Sequence, residues 1–345
     1  MKRKIYLLLA LCCFQTYLLY AQKKESASPA WMPAIHGTIR AKYEFQNGEE
    51  DPHRFQVRNA RFSLSGHILP TVFYKAEMDL SDKGEQRMLD AYARLELLPQ
   101  LKVTAGQMRV PFTIDAHRSP HLLYFANRSF IAKQVGSVRD VGVAVNYRLD
   151  TFIPVVLETG LFNGKGLDSE AQEQWNRDLS YSFKGRIFPS SGSNITLGMQ
   201  STCPQDVRVF MYNLGGYYQL DNLHIECEYL YKHYKNNQFA NVNALNAQLS
   251  YAIPLKKTIH KISLLARYDR MDDHCKSFLR DVVTRQLLKD QEARQRVTAG
   301  VTLSLGEAYQ TDIRLNYEKY FYAADALLID PSEKDKLVIE LMVRF

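Results

Sequence analysis

Polar and apolar residues alternate with a period of two along most of the chain. Val141, Val143, Val145, Tyr147 and Leu149 interleave with Asp140, Gly142, Ala144, Asn146 and Arg148. Val297, Ala299, Val301, Leu303 and Leu305 interleave with Thr298, Gly300, Thr302 and Ser304. Leu223, Ile225, Cys227, Tyr229 and Tyr231 do the same with His224, Glu226, Glu228, Leu230 and Lys232. Such alternation puts one residue set on each face of a strand, and long helical periodicity is scarce. The pattern predicts sixteen strands, at 35–47, 54–67, 71–80, 87–98, 101–109, 140–149, 153–163, 178–188, 193–201, 207–219, 222–234, 240–253, 258–272, 293–305, 308–320 and 335–345.

The connections say what the strands build. Every second one is tight: Leu69-Pro70, Pro99-Gln100, Asp150-Thr151, Pro189 to Gly192, Leu220-Asp221, Pro254 to Lys257 and Gly306-Glu307. The others, at 48–53, 81–86, 110–139, 164–177, 202–206, 235–239, 273–292 and 321–334, are longer or more charged. Short turns at one end and long loops at the other are the signature of an all-β, transmembrane antiparallel β-barrel of the outer membrane. A soluble sandwich has no reason to sort its loops this way. The last strand alternates Leu337, Ile339, Leu341 and Val343 and closes on Phe345, an aromatic C-terminus suited to the outer-membrane assembly machinery. Tyr43 with Phe45, Tyr231 with Tyr234, and Tyr320-Phe321-Tyr322 are expected in interfacial girdles.

The N-terminus changes the reading of the charge. Lys2, Arg3 and Lys4 precede an apolar stretch from Ile5 to Tyr20, the form of an export signal cleaved near Ala21. Leu11 before Cys12 makes a poor lipobox. The 345 residues carry a formal charge of +7, and cleavage would remove three positive charges, leaving +4. That removes the main argument for nucleic acid. The expected domains are a signal peptide at 1–21, a short segment at 22–34 and the barrel at 35–345. With 46% hydrophobic and 23% charged residues, bulk disorder is excluded. Cys203, Cys227 and Cys275 are three in number, which predicts unpaired thiols, with a Cys203–Cys275 bridge as the alternative.

A barrel of about sixteen strands is too wide for its own side chains to fill, so the polar face is expected to line water. Arg40, Lys42, Arg61, Arg94, Arg267, Arg314, Glu44, Glu96, Glu226 and Glu228 would then be solvated wall residues. The segment 109–139 stands out as the longest connection. Arg109, Arg118, Arg128, Lys133 and Arg139 face a single acid, Asp115, while His117 and His121 add donors. Leu122, Leu123, Tyr124, Phe125 and Phe130 offer apolar anchors. Folded inward, this loop would form a basic constriction that draws anions, with guanidinium forks matched to phosphate or carboxylate oxygens. Left outside, it would be a basic loop meeting lipopolysaccharide phosphates.

Short blocks in order resemble the phosphate-selective porin O and P family. They are Arg58 to Gly66, Phe73 to Asp79, Asp90-Ala91-Tyr92, Gly106 to Phe112, Asn127-Arg128-Ser129 and Arg139 to Val143. The resemblance covers roughly residues 54–149. It implies a homotrimer of sixteen-stranded barrels, each with an inward third loop, conducting anions such as phosphate. Arg109, Arg128 and Arg139 fall in the matching blocks. No block matches the lysine cluster of the family, so an anion-preferring or general porin is the expectation.

The rival readings are weaker. Ser and His are plentiful, but no GxSxG elbow marks a barrel enzyme, and no catalytic residue is assigned. Asp272-Asp273-His274-Cys275 and Glu49-Glu50-Asp51 are compact but lack a metal-site spacing, so no metal or other cofactor is expected. Loops 164–177 and 273–292, the second read as helical from Arg280 to Arg296, would suit a surface binding protein or adhesin.

Overall fold

The computed structural model describes residues 32–82, 85–134, 138–167, 175, 177–256, 258–306 and 310–345. The expected signal peptide and most of the segment 22–34 lie outside the described residues.

Sixteen antiparallel strands close into one barrel in which each strand pairs with its sequence neighbours and the first with the last. They are β1 (Ala34–Gln46), β2 (His53–Leu69), β3 (Val72–Asp82), β4 (Glu85–Glu96), β5 (Leu101–Arg109), β6 (Arg139–Leu149), β7 (Val155–Phe162), β8 (Ser180–Ser190), β9 (Ser193–Thr202), β10 (Val209–Leu220), β11 (Leu223–Tyr234), β12 (Val242–Pro254), β13 (Ile259–Met271), β14 (Arg294–Leu305), β15 (Thr311–Tyr322) and β16 (Lys336–Arg344). Closure leaves no strand edge unpaired in the bilayer, where an unbonded peptide group is costly. The seam is finished by Phe345, whose N–H and C=O exchange hydrogen bonds with Gly37 at 3.1 and 2.7 Å. Its ring packs over Gly37, in the space that a side chain there would enter.

The alternation sorts as the pleat requires. Ile39, Val143, Leu197, Leu214, Ile225, Leu249, Leu264, Val297, Leu315 and Leu341 are exposed on the outer face. Tyr43 with Phe55 and Tyr212 with Tyr231 mark the rim of the long loops, and Tyr147, Tyr218 and Tyr251 the opposite rim. Two expected girdle residues point the other way: Tyr234 and Tyr320 face the lumen and are buried.

Two further expectations are corrected. The stretch from Arg280 is not a helix. Residues 273–292 form an irregular arm with isolated bridges His274–Gln291 and Arg280–Leu287. Asp281 holds a tight turn by accepting from the N–H groups of Val283 and Thr284, and Arg285 sits at φ 59, which breaks any helix. The lumen wall is not uniformly solvated either. Arg40, Lys42, Glu44, Glu226, Glu228, Arg267 and Arg314 are buried, because the 110–138 connection occupies the space they face. Arg61, Arg94 and Glu96 remain partly exposed. Cys203, Cys227 and Cys275 are free thiols.

Candidate functional site

The connection between β5 and β6 turns into the barrel and crosses it. Its base is closed by Val110 N–H donating to Val138 C=O at 3.0 Å. It then reaches β11 to β15 and β1, on the far side of the ring.

Wall side chains hold its backbone residue by residue. Glu228 accepts from the N–H groups of Ile114 and Asp115 at 2.6 and 3.4 Å. Asn316 accepts from Ala126 N–H at 2.8 Å, and Asp269 from Phe130 N–H at 3.3 Å. Arg40, Arg267 and Arg296 donate to the carbonyls of Ala126, Asn127 and Arg128 at 2.5, 2.8 and 2.8 Å. Those arginines are themselves neutralised: Arg40 and Arg314 share Glu340, while Arg267 and Arg296 share Asp269. Buried charges of this kind persist only when paired and hydrogen-bonded.

Apolar contacts complete the attachment. A one-turn helix, α1 (Phe130–Gln134), places Phe130 and Ile131 in full burial. They pack with Val207, Val209, Met211, Leu230, Val242 and Met271, lumen-facing or loop residues that give this part of the barrel an apolar core. Arg294 and Arg296 lie over the Phe130 ring, each 4.7 Å from its centroid, and Arg267 lies 4.4 Å from that of Phe125. Of the expected anchors, Leu123, Phe125 and Phe130 are buried, whereas Leu122 is 56% exposed.

The five basic residues singled out by sequence are not equivalent. Arg118 pairs with Glu226 at 2.5 Å and with Asp115 at 3.5 Å. Arg128 folds back on its own loop, donating to the carbonyls of Asp115 and Arg118. Lys133 lies 3.6 Å from Glu333 in the 323–335 loop. Arg139 pairs with Asp90 at 2.6 Å and Glu77 at 3.2 Å, inside a wall network that includes Lys75 and Arg61. Arg109 alone of the five borders open space without an ion-pair carboxylate among the described residues. It donates to His117 C=O and, at 3.5 Å, to Ser119 Oγ. Burial would raise the Asp115 carboxyl, but Arg128 and Arg118 beside it hold it below the usual range. Burial drives His117 well below the ordinary histidine value and His121 down to about 4, with Arg344 and Arg109 adding to the latter shift.

The open space is a cavity of about 600 Å3 on the β3 to β8 side, toward the short-turn end. Its lining holds six basic side chains, Lys75, Arg94, Lys102, Arg109, Arg148 and Arg186, against two acids, Asp90 and Glu158. Arg94 is braced at 5.3 Å over the Phe73 ring and 5.4 Å over that of Tyr92. Its guanidinium donates to Thr104 and Tyr92 hydroxyls rather than to a carboxylate. Sequence reasoning placed Arg94 on the wall but gave it no special role. Its signal was the alternation Asp90-x-Tyr92-x-Arg94-x-Glu96 on β4, which aims all four side chains inward. The Asp272 to Cys275 cluster is spent locally: Asp272 accepts from Asn243, Asp273 from Ala293 N–H, and His274 sits in the bridge to Gln291.

A closed sixteen-stranded barrel with an inward third loop and a lipid-facing belt is an outer-membrane protein of the porin type. Residues 34–201 match the model of the family described as phosphate-selective porin O and P, so the resemblance carried by the sequence blocks is borne out. No curated relative matches the sequence. Among solved structures the fold is similar to the anion-selective porin from Comamonas acidovorans, at TM-score 0.61 and 11% identity, covering 90% of this chain and 98% of that one. It is similar to Salmonella typhi OmpF in complex with daunomycin, at TM-score 0.62 and 12% identity, covering 91% and 97%. In-vitro folded OmpT of Vibrio cholerae, in its trimer form, aligns at TM-score 0.56 and 10% identity, covering 91% and 98%. Family match and fold together place the chain in the outer membrane and support a channel for passive diffusion.

Proposed function

We propose that the chain is an outer-membrane porin through which small solutes diffuse passively, with a preference for anions such as phosphate. The observation that carries this reading is that Arg94 and Arg109 border the 600 Å3 cavity without a carboxylate partner, while the other four basic side chains of its lining, Lys75, Lys102, Arg148 and Arg186, are ion-paired. A low-dielectric wall focuses that field into the lumen and concentrates anions there. Arg94 and Arg109 are the residues we assign to it first, since neither is occupied by a carboxylate. Arg118, Arg128 and Lys133, from the sequence-based set, contribute through the loop, which they brace and fasten, while Arg139 on β6 is spent in the wall network with Asp90 and Glu77. A homotrimer is part of the proposal, resting on the family resemblance and on the trimer form of the Vibrio cholerae protein. A channel is favoured over a barrel enzyme, since the family and the fold are those of porins. The test is a planar-bilayer recording of the purified protein under a KCl gradient. A reversal potential of the sign set by chloride supports the reading, and one set by potassium refutes it.

A further inference from the structure

At the long-loop end of the barrel, the 323–335 loop between β15 and β16 is fastened to three separate parts of the rim. Gln46 on β1 donates to Pro331 C=O at 2.8 Å, and Lys334 pairs with Glu49 at 2.5 Å. Glu292 of the 273–292 arm accepts from the N–H groups of Leu327 and Leu328, each at 3.3 Å. Tyr322, at the end of β15, donates to Glu333 C=O at 2.6 Å.

Between these points the loop turns one side chain inward. The Asp330 carboxylate accepts from Ser332 N–H at 2.8 Å, and its carbonyl accepts from Glu333 N–H at 2.8 Å. Such a turn reverses the chain tightly. Leu327 is 88% exposed on the outside of the loop, whereas Glu333 is 3% exposed. The Glu333 carboxylate meets two cations there. Arg294 on β14 pairs with one oxygen, and Lys133 on α1 lies 3.6 Å from the other. Arg294 is already committed to the wall. It donates to Glu292 C=O and to Gln291 Oε1, both at 3.0 Å, and its guanidinium lies over the Phe130 ring. Glu333 is the one carboxylate within ion-pair distance of Lys133 among the described residues. A buried carboxylate between two cations holds both, and removing it leaves both without their partner.

We infer that the 323–335 loop is a strap that sets the position of the inward loop from the long-loop mouth, with Glu333 as its positioning residue. The strap grips α1, whose amides show whether the grip holds. Phe130 N–H donates to Asp269, Ala132 N–H to Ser129 Oγ, and Lys133 N–H to Ser129 C=O.

The test is hydrogen exchange of those amides in the purified full chain, folded in detergent. Exchange reads local opening of the loop apart from the barrel. It is expected to quicken about threefold in Lys133→Met and about fivefold in Glu333→Gln, with β12 and β13 amides at wild-type rates. The double variant is expected to exchange no faster than Glu333→Gln alone, because both changes break one contact. Lys319→Met, which removes a pair with Asp335 at the exposed edge of the same loop, is expected to exchange as the wild type. Should Glu333→Gln lose the heat-modifiable mobility of a folded barrel, Lys133→Met carries the test, since it leaves the Arg294 pair in place. The second readout rests on the channel reading. The two single variants change the net charge in opposite directions, so a field effect moves their reversal potentials apart, whereas a freed loop raises open-channel current noise in both. A silent bilayer refutes the channel reading and leaves the exchange result to decide the strap. Wild-type exchange in the folded variants, equal quickening by Lys319→Met, or quickening shared by β12 and β13 overturns the inference.

Discussion

Arg109→Gln removes a charge from the cavity wall that no carboxylate balances, and its size of effect follows from elementary electrostatics. An anion passing about 7 Å from a unit charge in water-like surroundings is stabilised by about 0.6 kcal/mol. A cation is disfavoured by the same amount, so anion-over-cation selectivity carries about 1.2 kcal/mol per such charge, roughly sevenfold. At 0.1 M salt the Debye length of about 10 Å halves the interaction and leaves about two- to threefold. Arg109→Glu doubles the exponent, to about sevenfold at 0.1 M. The assay is the reversal potential under a KCl gradient, repeated near 0.01 M, where the effect of Arg109→Gln grows toward its unscreened value. The control is the neutral pair Arg139→Gln with Asp90→Asn. These two are bonded at 2.6 Å in the same wall, and removing both leaves the net charge unchanged. A shift from that pair as large as from Arg109→Gln, or no shift from Arg109→Glu at low salt, refutes the idea that net fixed charge at this cavity sets selectivity.

Phe130→Ala tests what holds the loop. The ring is fully buried beneath two guanidiniums, and truncating such a side chain costs about 3–5 kcal/mol. The expected result is a noisier, larger single-channel conductance and new protease cleavage within 110–138, with the barrel still heat-modifiable; an unchanged channel contradicts the anchoring role. The pH dependence has a defined sign. Because burial holds His121 at about 4, it is neutral from pH 5 to 8 and becomes a cation only below that value. Below about pH 4 its positive charge is expected to add to the rise in anion preference that carboxylate protonation itself brings, and His121→Gln is expected to reduce that rise without abolishing it, read as the reversal potential.

The strands were almost wholly legible. Each of the sixteen starts and ends within three residues of its place in the period-two pattern. A strand with lipid on one face and polar contacts on the other writes its boundary at every second residue, so few alternatives compete. The arm at 273–292 was misread because Leu287, Gln291 and Arg294 are spaced as on a helix face. In the fold that spacing serves a bridge between His274 and Gln291 and burial of Leu287 against loop residues. Where the loop docks was partly written in the sequence as well. Val209-Phe210-Met211-Tyr212 breaks the alternation with four apolar residues in a row. On a barrel strand, apolar residues on both faces mean that something other than water fills the lumen at that height. Here it is Phe130 and Ile131.

The individual roles of the arginines were not legible, and the reason is geometric. In a closed barrel, residues far apart in sequence face each other across the lumen, and the loop decides which of them meet water. Arg40 and Arg314 share Glu340, Arg267 and Arg296 share Asp269, and three of these four hold loop carbonyls. Counting them as pore lining overstates the field on that side. They act as fasteners whose charge is cancelled within hydrogen-bond distance. The uncancelled charge lies where the loop does not reach, on β4 and β5 around Arg94 and Arg109. In the proposed anion channel, the loop would set selectivity less by presenting its own charges to the path than by taking up the charges of one wall and leaving the other open.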